Sequence, residues 1–192
     1  MKDKIIKLLK DSIETKSKLI SDDVFMESLE RAINYCFKTI TEGNTIFFCG
    51  NGGSAADAQH IAAELTGKFK NDREPLSGIV LGSNFSSLTA IGNDYGFDSV
   101  FSRELSGLGK KGDLLIAYTT SGKSKNVIKA LETAKNLNIN SILMVGQNGN
   151  ESANIADVVI SIPSKITARI QESHITVSHI IFEIFEEKFL NA

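Results

Sequence analysis

Three histidines serve this chain of 192 residues, and all of them fall in two segments. The first, "CGNGGSAADAQHIAAEL", places His60 and Glu64 at i and i+4, on one face of a helix. An imidazole and a carboxylate held side by side suit proton transfer near neutral pH, or a share in a metal site. The plainer alternative is a stabilising pair on a solvated helix. Against it, the helix starts at a glycine-rich turn, which aims that face at the crevice where α/β sheets collect their ligands. The second segment, "TARIQESHITVSHIIFEIFEE", carries Gln171, His174 and His179 on an otherwise apolar helix. Glu172, Ser173 and Thr176 make the surroundings of His174 polar, which predicts a surface position. His179, just ahead of "IIFEIF", is expected to be buried with a task.

Two turns add binding chemistry. Gly50-Asn51-Gly52-Gly53-Ser54-Ala55 fits the dinucleotide fingerprint G-x-G-x-x-A taken literally, yet the next strand ends in Ser83 and Asn84, with no carboxylate to hold a ribose. No G-K-[ST] follows either, so the turn is not a P-loop. In "TTSGKSKN", Thr119, Thr120, Ser121 and Ser124 surround a glycine where a helix begins. Hydroxyls and free backbone N–H groups at the positive end of a helix make a phosphate site. One serine there would be a helix cap; four hydroxyls beside a glycine favour the anion by roughly three to one.

These residues need elements to position them. Helical spacing runs over residues 1–19, and a second helix, capped by Asp22 or Asp23, lasts to about Ile40. From Thr45 the pattern changes to apolar strands at "TIFFCG", "GIVLG", "DLLIAYTT", "SILMVG" and "DVVISIP", mostly separated by helical stretches, and closes with a helix from Thr167 to Phe189. Uninterrupted apolar strands mean burial on both faces. The fold class is therefore α/β: a three-layer sandwich with a parallel five-stranded sheet, flavodoxin-like, as one domain over 1–192. Residues 1–43 form a helical N-terminal extension that covers the sheet or joins subunits, and 44–192 the α/β core. Net charge is -2, which gives no basic face for nucleic acid. The lysine-studded start is neither a signal peptide nor a membrane span, and two cysteines make no disulfide framework, so a cytoplasmic location is expected.

Four segments in order, "CGNGGSAADAQHIAAEL", "GNDYGFDSVFSREL", "TTSGKSKNV" and "TARIQESHITVSH", resemble the phosphoheptose isomerases of the sugar isomerase (SIS) superfamily over nearly the whole chain. The resemblance implies conversion of sedoheptulose 7-phosphate to D-glycero-D-manno-heptose 7-phosphate, the first step toward the heptose of bacterial surface glycans. It also implies a cytoplasmic homotetramer holding Zn2+. Carried over residue by residue, Asn51, Gly52, Gly53, Ser54, Glu64, Asn93, Asp94, Thr119, Thr120, Ser121, Ser124 and Gln171 would contact substrate. His60, Glu64, Gln171 and His179 would hold the metal, with Glu64 and His179 also catalytic. Lys123, where asparagine is commoner, and Thr119, where serine is frequent, depart from the family pattern but keep the loop polar.

Aldose–ketose isomerisation needs a base near C1 and C2, a group to polarise the carbonyl, and a distant phosphate anchor. Glu64 is the natural base and His179 the natural acid. Gln171 and His179 stand eight residues apart, about 12 Å along a helix. Either they serve different parts of the site or a neighbouring subunit supplies one of them; a shared site is the favoured expectation. The rival reading is a non-catalytic SIS scaffold that binds the bacterial replication initiator protein. A sensor attached to a DNA-binding domain is disfavoured, because the segment before Thr45 holds only two plain helices.

Overall fold

A computed structural model describes residues 1–147 and 149–192. Two helices lead, α1 (Lys2–Ile20) and α2 (Asp23–Thr41), and the Asp22 carboxylate caps the second by accepting from the Phe25 N–H at 3.0 Å. The remaining elements in chain order are β1 (Ile46–Gly50), α3 (Gly53–Thr66), β2 (Gly78–Val80), α4 (Phe85–Tyr95), a 3-10 turn (Phe97–Ser99) and α5 (Val100–Leu108). They are followed by β3 (Leu114–Thr119), α6 (Lys125–Asn136), β4 (Asn140–Gly146), the short α7 (Asn150–Ala153), β5 (Val158–Ile162) and α8 (Thr167–Leu190).

The five strands run parallel in the order β2-β1-β3-β4-β5, the flavodoxin-like arrangement. Every residue of β1 and β3 is buried, as their unbroken apolar sequences require. Two cores lie on opposite faces of the sheet. One gathers Phe48, Ile116 and Met144 with α2, α3 and α8; the other gathers Phe47, Leu115 and Leu143 with α5 and α6. The order of strands reverses between β1 and β3, which brings the turns after those strands together at one end of the sheet.

Two expectations about histidines change. His174 is fully buried, not a surface residue. Glu172 and Thr176, two positions to either side, are only half-buried, whereas Ile170, Ser173, Val177 and Ser178 share its inward face. His179 is half-buried rather than buried. Burial pushes the His174 imidazole down to about 4, partly offset by the nearby Val145 backbone. Because the folded value lies below the unfolded one, the native state resists protonation. Stability is then complete above about pH 6.5 and lost as pH falls toward 4, by about 3 kcal/mol from this group between pH 7 and 4. His174→Leu should show a visibly shallower acid limb in urea melts over that range; an unchanged limb would mean that the imidazole is not held neutral.

Candidate functional site

The turn after β1 enters α3 through Gly52 and Gly53, the former at φ +55°. A Cβ on Gly53 would sit 2.5 Å from Nε2 of Gln171, so the bare turn admits the α8 glutamine amide directly above backbone. Asn51 and Asn126 exchange amide hydrogen bonds, Asn51 donating at 2.9 Å and Asn126 at 2.8 Å, and this lashes the first turn to the start of α6. A small cavity of about 80 Å³ lies between the turns, lined by Asn51, Ser54, Thr119, Thr120, Ser124, Gln171 and the base of Tyr118.

The hydroxyls of the second turn do not cap α6. Ser124 occupies the N-cap position, yet its side chain makes no capping bond and instead meets the Thr119 hydroxyl at 3.1 Å. The Thr119 hydroxyl also accepts from the Gly122 N–H, and the Ser121 hydroxyl from the Lys123 N–H. The Val127 N–H is taken by the Asn126 side chain at 3.0 Å, so the positive end of α6 faces the loop through the N–H groups of Lys125 and Asn126. A second hollow adjoins it, where Lys123 and Lys165 stand beside Ser121 and Thr167.

Further along α3, His60 and Glu64 meet His179 of α8 within one chain. Nε2 of His60 lies 3.2 Å from Oε1 of Glu64 and 3.3 Å from Nε2 of His179, and one ligand atom from each residue lies within 4.8 Å of the others. Around a tetrahedral ion with bonds of about 2.0–2.1 Å, ligand atoms stand roughly 3.4 Å apart. Two of the three ligand-atom distances match that spacing and the third lies within 4.8 Å, so two nitrogens and a carboxylate oxygen could hold a divalent cation with one position open. The His60 and His179 rings meet edge-on at 5.0 Å, while Phe69 stacks on His179 at 5.9 Å and 20°.

Gln171 lies at the first turn, while His179 lies with His60 and Glu64 of the same chain. Asn93 and Asp94 sit exposed at the end of α4, hydrogen-bonded to each other, and line neither hollow. Sequence reasoning passed over Asn126, although it ends the very segment "TTSGKSKN". It also passed over Asp57, one turn ahead of His60, whose carboxyl is pushed up to about 6 by burial, with His60 pulling the other way. Tyr118 was missed as well; its buried hydroxyl shares a 2.9 Å hydrogen bond with Ser178 beneath the site.

Comparison with known proteins matches residues 4–146 to the SIS domain. The chain is 47% identical over 188 residues to a phosphoheptose isomerase of Aliarcobacter butzleri (strain RM4018), covering 98% of each protein. It superposes on the structure of the phosphoheptose isomerase GmhA from Neisseria gonorrhoeae with a TM-score of 0.90 at 37% identity, covering 97% of this chain and 98% of that one. A phosphoheptose isomerase from Francisella tularensis gives 0.87 at 32% identity, covering 96% and 97%.

Proposed function

We infer the function from one premise: the chain belongs to the SIS-domain family and, within it, to the phosphoheptose isomerases. It isomerises sedoheptulose 7-phosphate to D-glycero-D-manno-heptose 7-phosphate. The observation that carries this reading is the convergence of His60, Glu64 and His179 between α3 and α8, the two helices whose first turns meet beside the hydroxyl-lined loop.

The phosphate sits on the 119–124 turn, held by the hydroxyls of Thr119, Thr120, Ser121 and Ser124 and by the first N–H groups of α6. Asn51, Gly52, Gly53 and Ser54, with Gln171, take the sugar hydroxyls, and Asn93 and Asp94 are further candidates on the family resemblance. Glu64 removes a proton from C1 of the ketose; the electron pair forms the C1–C2 double bond and the C2 carbonyl becomes an enediol oxygen. His179 supplies the proton to O2. Glu64 then returns its proton to C2, while the O1 hydroxyl loses its own to His179 and C1 becomes the aldehyde, so every atom balances. His60, Glu64 and His179 would hold Zn2+, with Gln171 as a fourth candidate, and a bound zinc ion would polarise the carbonyl oxygen.

No helix among the described residues is long and apolar enough to cross a membrane, which accords with a free sugar phosphate handled in the cytoplasm. The helical extension supports assembly into a homotetramer. Ile5, Leu9 and Ile13 of α1 are 52%, 60% and 65% exposed, and an apolar groove beside them runs between α1, α2 and α8. A second copy would cover both. The scaffold reading is not favoured, because it has no use for the cluster of two imidazoles and a carboxylate. The direct test is conversion of sedoheptulose 7-phosphate with and without a chelator, alongside sedimentation. Absence of aldose product from the zinc-loaded protein would overturn the reading.

One further result is expected here. Replacing Ser121 and Ser124 together by alanine should raise KM for the sugar phosphate by about tenfold or more, since hydrogen bonds to a charged group contribute about 1.5–3 kcal/mol each. The melting temperature should barely move, because neither hydroxyl caps α6. Lost stability with an unmoved KM would return both serines to a purely local role.

A further inference from the structure

The active cluster draws on two helices, and something must fix the distance between them. The last carbonyls of α3 have no partner within the helix. Arg73, from the segment after α3, supplies one: its guanidinium donates to the Glu64 carbonyl at 2.8 Å and to the Leu65 carbonyl at 3.0 Å. The same side chain, 4% exposed, donates through Nε to Oε1 of Glu186 at 2.9 Å, and the Glu186 side chain is 2% exposed. Glu186 is seven residues beyond His179 on α8, two turns away, and a seven-residue step returns to nearly the same helix face, about 20° off.

The other carboxylate oxygen of Glu186 is equally occupied. It accepts from the backbone N–H of Lys70 at 3.2 Å, from that of Asn71 at 3.1 Å and from the Asn71 amide at 3.0 Å. Lys70 also pairs with Glu183, one turn back on α8. Both bonds fasten the stretch whose Phe69 lies flat against His179. A buried carboxylate with four hydrogen bonds, joined to a buried guanidinium with three carbonyl acceptors, is more than a surface strap requires.

We propose that Arg73 and Glu186 are positioning residues for the isomerisation: they bolt the end of α3 that carries Glu64 to the part of α8 that carries His179, and hold Phe69 against the His179 ring. The proposal rests on the isomerase reading for its rate consequence, and on geometry alone for its structural one. Neither residue touches substrate. The guanidinium fork is essential, because a lysine ammonium cannot reach two helix carbonyls and a carboxylate in one plane.

The test uses Arg73→Lys and Glu186→Asp in the full-length protein, assayed well below their melting temperatures. The expected result is a fall in kcat of about tenfold with KM for sedoheptulose 7-phosphate within about twofold, since misplacement of catalytic groups costs rate rather than binding. Treatment with diethyl pyrocarbonate, read residue by residue by mass spectrometry, should show faster modification of His60 and His179 while buried His174 stays protected. Wild-type kcat and unchanged histidine reactivity, with only a lowered melting temperature, would overturn the proposal. Hydrogen exchange on the wild-type protein covers the case of a variant that does not fold: the amides of Lys70 and Asn71, which donate to Glu186, must exchange slowly, and fast exchange would sink the clamp. A wild-type protein without isomerase activity would instead refute the function, and the histidine and exchange data would still judge the clamp.

Discussion

Glu64→Gln is expected to cut kcat by about 100-fold or more while the fold and KM stay near their wild-type values. The substitution preserves size and hydrogen bonding at a side chain that is only 20% exposed, so packing on α3 has no reason to change. What disappears is the group proposed to take the proton from C1 and return it to C2. An amide is also a weaker partner for a cation than a carboxylate, so zinc content should be measured in the same samples. A slow variant with full zinc loading isolates the loss of the base. Turnover close to wild type would remove Glu64 from that role altogether.

Gly122→Ala should be nearly as damaging, for a reason of shape. Gly122 takes φ +70°, where an L side chain is strained by about 1–2 kcal/mol. A Cβ there would also run into the Cα of Gly149 and come within 3.0 Å of the Ser152 hydroxyl. Backbone cannot swing aside as a side chain can, so the 119–124 turn must shift. Losing two hydrogen bonds to a charged phosphate, at about 1.5 kcal/mol each, corresponds to roughly 100-fold in kcat/KM. The loss should vanish in comparisons made with a non-phosphorylated sugar, already poorly handled. An alanine variant with wild-type kcat/KM would mean that the phosphate is anchored elsewhere.

Much of this site could be read from residue types. The five strands, the two opening helices and both ligand turns stand within a residue or two of where their periodicity puts them, because unbroken apolar runs and glycine punctuation are strong local signals. His60 and Glu64 were legible as an i, i+4 pair. Their meeting with His179, 119 positions later, was legible only through the family resemblance, since no local period links the two helices. His174 was misjudged because adjacent residues in a helix point apart, and polarity in sequence is not polarity in space. Arg73 and Glu186 gave no signal either. A charged residue in a loop and another on a helix look solvated until the fold buries them together.

The strand order also sets a timetable. β1, whose last residue opens the first ligand turn, lies between β2 and β3, and Thr45 at its foot bonds to Asp113, 68 residues later. At a synthesis rate of about 5–20 residues per second, β1 leaves the ribosome roughly 3–14 s before the strand that completes its hydrogen bonding. Until β2 emerges the apolar segment Ile46–Gly50 has both edges unpaired, and from then until β3 it has one, which exposes it to wrong pairing. The turn after β1 consequently gains its full support only once β3 is made, and a chain stalled before β3 lacks the proposed binding site.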